Sequence, residues 1–118
     1  MSYNVCNLKK SLEHGNFISF LNNYDIFFLY ETHVMESNQK MFEIYFKNYV
    51  LHWIPAKKTH NAGRPSGGCL YGYKIVIKNT LNLQFCNILN NIVLKTKLGS
   101  EYFYFIPRYL NCTDWRND

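Results

Sequence analysis

The strongest constraint on this chain is the run Asp25-Ile26-Phe27-Phe28-Leu29-Tyr30-Glu31-Thr32-His33. Five successive apolar or aromatic residues, Ile26–Tyr30, lack the alternation of a half-exposed strand and read as a short strand covered on both faces. Such a strand belongs in the middle of a core. Glu31 stands at its carboxyl end, at the edge of low-dielectric surroundings, where a charge without a cation or several donors is costly. On this stretch alone two readings stay open. Glu31 is either a metal ligand or simply the point where the strand reaches water, as most carboxylates do.

The remainder of the chain bounds the choice. Its 118 residues suffice for one ordinary domain and are too few for two. Ten Tyr and nine Phe, within a hydrophobic fraction of 47%, exclude a disordered chain and favour strand-rich packing. No apolar run approaches the roughly 18 residues of a membrane helix, and the opening residues, with Asn4, Asn7, Lys9 and Lys10, lack a signal-peptide core, so an intracellular protein is expected. A net charge of +5 favours an anionic partner such as nucleic acid without establishing one. Cys6, Cys69, Cys86 and Cys112 are scattered singly, which argues against a structural zinc site or a disulfide framework.

Along the chain, residues 1–6 alternate as an opening strand would, and residues 8–22 carry apolar side chains near helical spacing, with Gly15 as a weak point. With the strand that follows, this opening reads as strand, helix, strand, and a crossover of that length makes the two strands parallel. Ser37 is a plausible cap for a second helix with the stripe Met41, Phe42, Tyr45 and Phe46, read as core. Residues 49–54 read as a strand and residues 55–68 as a long flexible loop. From Cys69 onward only strands are expected, over 69–77, 81–88, 92–98 and 101–110, joined by Lys78-Asn79-Thr80, Asn90-Asn91 and Gly99-Ser100 as one antiparallel meander. With no later helix to cover it, that sheet is expected to leave an apolar face and an edge open and to promote self-association.

In parallel neighbouring strands, Asn4 and Glu31 project from carboxyl ends into one crevice. Both supply oxygen donors, a credible partial site for a hard divalent ion, and His33, two residues on, can face the same way. The loop residues Lys57, Lys58, His60 and Arg64 are candidates for phosphate contacts, although a solvated loop has the same composition.

Tyr3-Asn4-Val5-Cys6-Asn7-Leu8, the strand ending in Glu31-Thr32-His33, and Gly63-Arg64-Pro65-Ser66-Gly67-Gly68 together resemble the first half of the endonuclease/exonuclease/phosphatase superfamily. Within it the chain looks most like the apurinic-endonuclease-like endonuclease domain of non-LTR, LINE-type retrotransposons. The resemblance implies an α/β fold, half of a four-layer αββα sandwich of DNase I-like type, with residues 1–118 as a partial domain lacking its C-terminal half. It implies Mg²⁺- or Mn²⁺-dependent hydrolysis of a DNA phosphodiester, with Asn4 and Glu31 as catalytic and metal-binding residues. Pro107-Arg108-Tyr109-Leu110-Asn111 resembles the family strand that delivers a phosphate-contacting tyrosine, here Tyr109. DNA is the implied partner, with a reverse-transcriptase domain or the absent half in a longer polyprotein, and the nucleus an implied location. The chain departs from the pattern at Tyr3, where Trp is common, at Cys6 and Asn7, at Tyr30, where Gln is usual, and at Asn111, where the family has Pro. The rival expectation is a catalytically dead retroelement remnant, at most a nucleic-acid-binding or self-associating module.

Overall fold

A computed structural model describes residues 1–58, 63 and 65–108. Its strands are β1 (Ser2–Asn4), β2 (Ile26–Tyr30), β3 (Tyr49–Ile54), β4 (Cys69–Lys74), β5 (Gln84–Ile88), β6 (Asn91–Leu98) and β7 (Glu101–Phe105). Short helices α1 (Leu8–Glu13), α2 (Phe17–Leu21), α3 (Gln39–Glu43) and α4 (Lys78–Leu81) lie between them. A four-stranded sheet has the order β1-β2-β4-β3, and a three-stranded sheet the order β5-β6-β7. The fold is therefore mixed α/β with two sheets.

The aromatic strand is central, as its composition requires. β2 pairs parallel with β1, setting Asn4 beside Tyr30, and antiparallel with β4, setting Phe27 beside Gly72. Its alternate side chains divide between two cores. Phe27 and Leu29 join Val5, Leu8, Leu21, Phe42, Phe46 and Leu70 beneath the helices. Phe28 and Tyr30 join Tyr71, Tyr73, Leu83 and Leu94 between the two sheets. The Tyr49 hydroxyl donates to the Leu21 carbonyl at 3.0 Å and so ties β3 to the end of α2.

Several expected elements differ. The helix over 8–22 is two helices, broken at the turn that contains Gly15, where the backbone cost of glycine is not offset by any packing. The second helix is a short α-helical segment flanked by 3₁₀ turns over Glu36–Asn38 and Ile44–Phe46, and Ser37 lies inside the first of these and caps nothing. Only Phe42 and Phe46 of its stripe are core, whereas Met41 and Tyr45 are exposed.

The four-strand meander is also corrected. β4 leaves the later strands and inserts between β2 and β3, because Leu70, Tyr71 and Tyr73 have both faces to bury and only a central position covers both. Residues 75–81, expected to end one strand and turn into the next, form a 3₁₀ turn and α4, which closes at Asn82 in the left-handed region that asparagine tolerates. The last three strands hold as a meander, but β5 starts at Gln84 rather than at 81 and β7 ends at Phe105, with residues 106–108 outside any strand and 109–110 outside the described residues. The β5–β6 turn is at Leu89 and Asn90, both with positive φ, one residue earlier than expected, and the β6–β7 turn is at Gly99 and Ser100. No helix among the described residues is long and apolar enough to cross a membrane.

His52 of β3 sits at the junction of the two sheets, beside Tyr71 in register and 5.5 Å from the Phe85 ring. Burial lowers its pKa from the usual histidine value. The imidazolium is thus less welcome in the folded chain than in the unfolded one. Its contribution to stability is complete above the unfolded value of about 6.5 and is lost as pH falls through the lower folded value. Urea denaturation should show stability declining from pH 7 toward pH 5, with a smaller decline in His52→Gln. Identical pH profiles for the two proteins would exclude His52 as the cause.

Candidate metal and phosphate site

The carboxyl ends of β1 and β2 are followed by segments with unusual backbone. Cys6 (φ 48°), Asn7 (φ 106°), Glu31 (φ 57°) and His33 (φ 59°) all occupy the positive-φ region, which non-glycine residues rarely adopt. Each such residue costs on the order of 1–3 kcal/mol, and clusters of them mark sites where side chains are held for a purpose other than packing. The surrounding hydrogen bonds sustain the strain. Asn7 N–H donates to the Glu31 carbonyl at 2.8 Å and Leu8 N–H to the Thr32 carbonyl at 2.9 Å, so β1 and β2 stay joined beyond their last paired residues. From the other side, Thr32 N–H donates to the Gly68 carbonyl at 3.1 Å and His33 N–H to the Gly67 carbonyl at 3.0 Å.

This clasp explains the glycine pair at the loop's end. Gly68 has φ 86°, and a Cβ there would come within 2.7 Å of the Thr32 hydroxyl, itself 1% exposed. The base of the expected flexible loop is ordered as well, because Lys57 and Ser66 form a two-bond antiparallel bridge, at 3.1 and 3.0 Å. Lys57 and Lys58 are exposed next to that bridge.

Glu31 is held rather than dangling. Its Oε2 accepts from Gly67 N–H at 3.2 Å and lies 3.2 Å from His33 Nε2, and the two side chains are 21% and 32% exposed, respectively. Both partners fall on one oxygen. Among the described residues Oε1 accepts no hydrogen bond, which leaves it as the carboxylate atom suited to a cation. Burial pushes the Cys69 thiol up, and the nearby Glu31 carboxylate adds to the rise against a lowering hydrogen bond with Tyr71. Cys69 packs against the core between the sheets, so the Glu31 charge lies on that side of β2. Positive φ at Glu31 breaks the alternation that would otherwise have carried it toward the helices.

Asn4, the register partner of Tyr30, shares its face of the sheet. Its Oδ1 accepts from Cys6 N–H at 3.0 Å, an Asx turn, and from Cys6 Sγ at 3.1 Å. That arrangement fixes the orientation of the amide. The Tyr30 phenol is raised by burial, with hydrogen bonds from the Ser2 side chain and the Arg108 backbone acting in the opposite direction. The Arg108 backbone, after β7, thus lies near the Tyr30 hydroxyl, as does the Ser2 side chain. Tyr109, Arg64 and His60 lie outside the described residues.

Asn4, Glu31 and His33 are thus gathered at one end of the first sheet. Among the described residues no three His, Cys, Asp or Glu side chains converge as a ready metal centre. Sequence reasoning did not foresee Gly67 N–H as the donor that orients the carboxylate, although the Gly67-Gly68 pair was its signal. A cleft of about 690 Å³ opens beside the site, with Cys6, Asn7, Lys9, Lys10, Glu13 and His33 among the residues on its walls, but neither Asn4 nor Glu31 lines it. No family model, curated protein or solved structure matches the chain.

Proposed function

We propose that this chain carries the metal-anchoring part of a divalent-metal-dependent nuclease of the endonuclease/exonuclease/phosphatase type, acting on DNA phosphodiesters. The observation that carries the reading is the pinned Glu31 carboxylate, with one oxygen clasped and the other open, at the end of a buried strand beside Asn4. Three further features support it. The two sheets face each other as the resemblance implies, the positive-φ residues concentrate around Asn4 and Glu31, and the chain before Tyr109 passes beside Tyr30.

The residues fit a hard divalent cation in part. Mg²⁺ accepts one or two carboxylates together with waters and substrate phosphate, and Glu31 supplies one of these. Such an ion, when bound, polarises the phosphoryl group and stabilises developing charge. Glu31 Oε1 would hold such a cation, and His33 and Gly67 N–H fix the carboxylate's direction. Asn4 supplies a donor for a phosphate oxygen, and Lys57 and Lys58 add positive charge along the approach.

Among the described residues no group of three or more His, Cys, Asp or Glu side chains gathers at Glu31. One carboxylate holds Mg²⁺ weakly, because the hydrated ion gives up little water for it. The chain by itself is therefore expected not to nick supercoiled plasmid in Mg²⁺ or Mn²⁺. Nicking that is metal-dependent and absent from Glu31→Gln would show the site to be complete. The rival reading is a remnant that binds nucleic acid without cutting it, in keeping with the lack of a converged acidic cluster among the described residues. It predicts that a chain extended in frame by its coding sequence stays inactive, whereas the nuclease reading predicts Glu31-dependent nicking there.

A further inference from the structure

We propose that the outward face of the three-stranded sheet is a platform for single-stranded nucleic acid, with Tyr102 and Tyr104 stacking bases and Lys95 and Lys97 meeting phosphates. Register separates the two faces. Phe85, Ile92 and Leu94 pack toward the first sheet, and the Thr96 hydroxyl donates to the Leu81 carbonyl on the same side. Strand alternation then turns Lys95 and Lys97 outward, and the pairs Lys95 with Tyr104 and Lys97 with Tyr102 put both tyrosines on that face.

The face is chemically one-sided. Glu101, the only acid on β5, β6 or β7, pairs with Leu98 and so belongs to the inward side. Tyr102 is 51% and Tyr104 46% exposed, so both rings are open to solvent, as are Phe103 and Phe105 on the other side of β7. Lys95 Nζ lies over the Tyr102 ring at 4.2 Å from its centroid and Lys97 Nζ at 5.5 Å, so both ammonium groups stand on the outward face, where an arriving phosphate would draw them from the ring.

Geometry selects the form of nucleic acid. Tyr102 and Tyr104 are two residues apart on one strand, about 7 Å, which is twice the spacing of about 3.4 Å between stacked bases along a duplex strand. Two bases meet two rings only when the strand is extended and unpaired. Stacking on aromatic side chains tolerates any sequence, because every base offers a π-face, while the lysines add a salt-dependent attraction to the backbone. This surface is separate from Glu31 and needs no metal.

The test measures fluorescence anisotropy of a labelled oligothymidylate of about 12 nucleotides with the full chain in EDTA, alongside a duplex of equal length. The single strand should bind more tightly than the duplex. Tyr102→Ala with Tyr104→Ala should weaken binding at least about tenfold, whereas Tyr102→Phe with Tyr104→Phe should stay within about twofold of the original. Lys95→Gln with Lys97→Gln should reduce the slope of log K against log salt by about 1.4. The proposal is overturned if the original chain does not bind, if duplex binds equally well, or if the folded alanine variant binds as the original does. Should circular dichroism show that the alanine variant is unfolded, photocrosslinking of the original chain to a thiothymidine oligonucleotide decides the matter. Crosslinks at Tyr102 or Tyr104 support the platform, and crosslinks confined to other segments overturn it. Sedimentation of a dimer unable to take up the oligonucleotide would give this face to a second copy instead.

Discussion

Gly72→Ala is expected to be among the most damaging single-methyl additions to this chain, lowering stability by about 1–3 kcal/mol. A Cβ at Gly72 would lie 2.4 Å from Phe27 Cζ and 2.6 Å from Cε2, well inside contact distance. An exposed ring would swing aside, but Phe27 is fully buried, with the Phe46 centroid at 5.8 Å and the Tyr49 centroid at 4.9 Å. The backbone cannot yield either, since Gly72 pairs with Phe27 on one side and Leu51 on the other. Shortening the ring should relieve the clash. Urea midpoints of Gly72→Ala, Phe27→Leu and the double variant should show the double variant less destabilised than the sum of its parts. Strict additivity would mean that the ring and the glycine do not constrain each other.

Glu31→Gln is expected to remove at least about tenfold of the chain's affinity for Mn²⁺ while preserving the fold, because it deletes the charge and keeps the shape. The amide oxygen can still accept from Gly67 N–H, and the altered contact with His33 costs only about 1 kcal/mol, the scale of one hydrogen bond. The Gly67 amide, bonded directly to the carboxylate, is the natural reporter. Paramagnetic Mn²⁺ should broaden the amide resonances of Glu31, Thr32 and Gly67 in the original chain at concentrations that leave the variant's sharp. Equal broadening in both proteins would remove Glu31 from any metal site.

Much of the first sheet was legible because β2 is strongly patterned. Five apolar residues in a row admit few positions other than a sheet centre, and the crossover length then fixes the β1–β2 pairing as parallel. Asn4 and Glu31 follow from that pairing alone, since both stand where parallel strands end. What sequence periodicity missed is tertiary in origin. Residues 69–77 read as one strand because Ile75, Val76 and Ile77 continue its β-branched character, yet these residues turn away, leaving Ile75 and Val76 exposed. Likewise, nothing local marks β4 as a member of the first sheet, since its place is set by two other strands that need a common neighbour. The left-handed backbone at Glu31 and His33 was hidden for the same reason, being imposed by hydrogen bonds from residues 7, 67 and 68.

The insertion of β4 between β2 and β3 also sets a timetable for folding. On a ribosome, β2 and β3 emerge well before β4, yet neither pairs with the other. Each must wait, with aromatic side chains unsatisfied, until the loop after Ile54 and the whole of β4 have been made. Joining distant segments is entropically slow, so the nascent chain passes through an interval in which its most hydrophobic strand has at most β1 as a neighbour. A molecule arrested in that interval offers Phe27, Phe28 and Leu29 as an open edge to any other chain. The demand for chaperone protection should therefore peak while residues 31–74 emerge from the exit tunnel and fall sharply once Lys74 has cleared it.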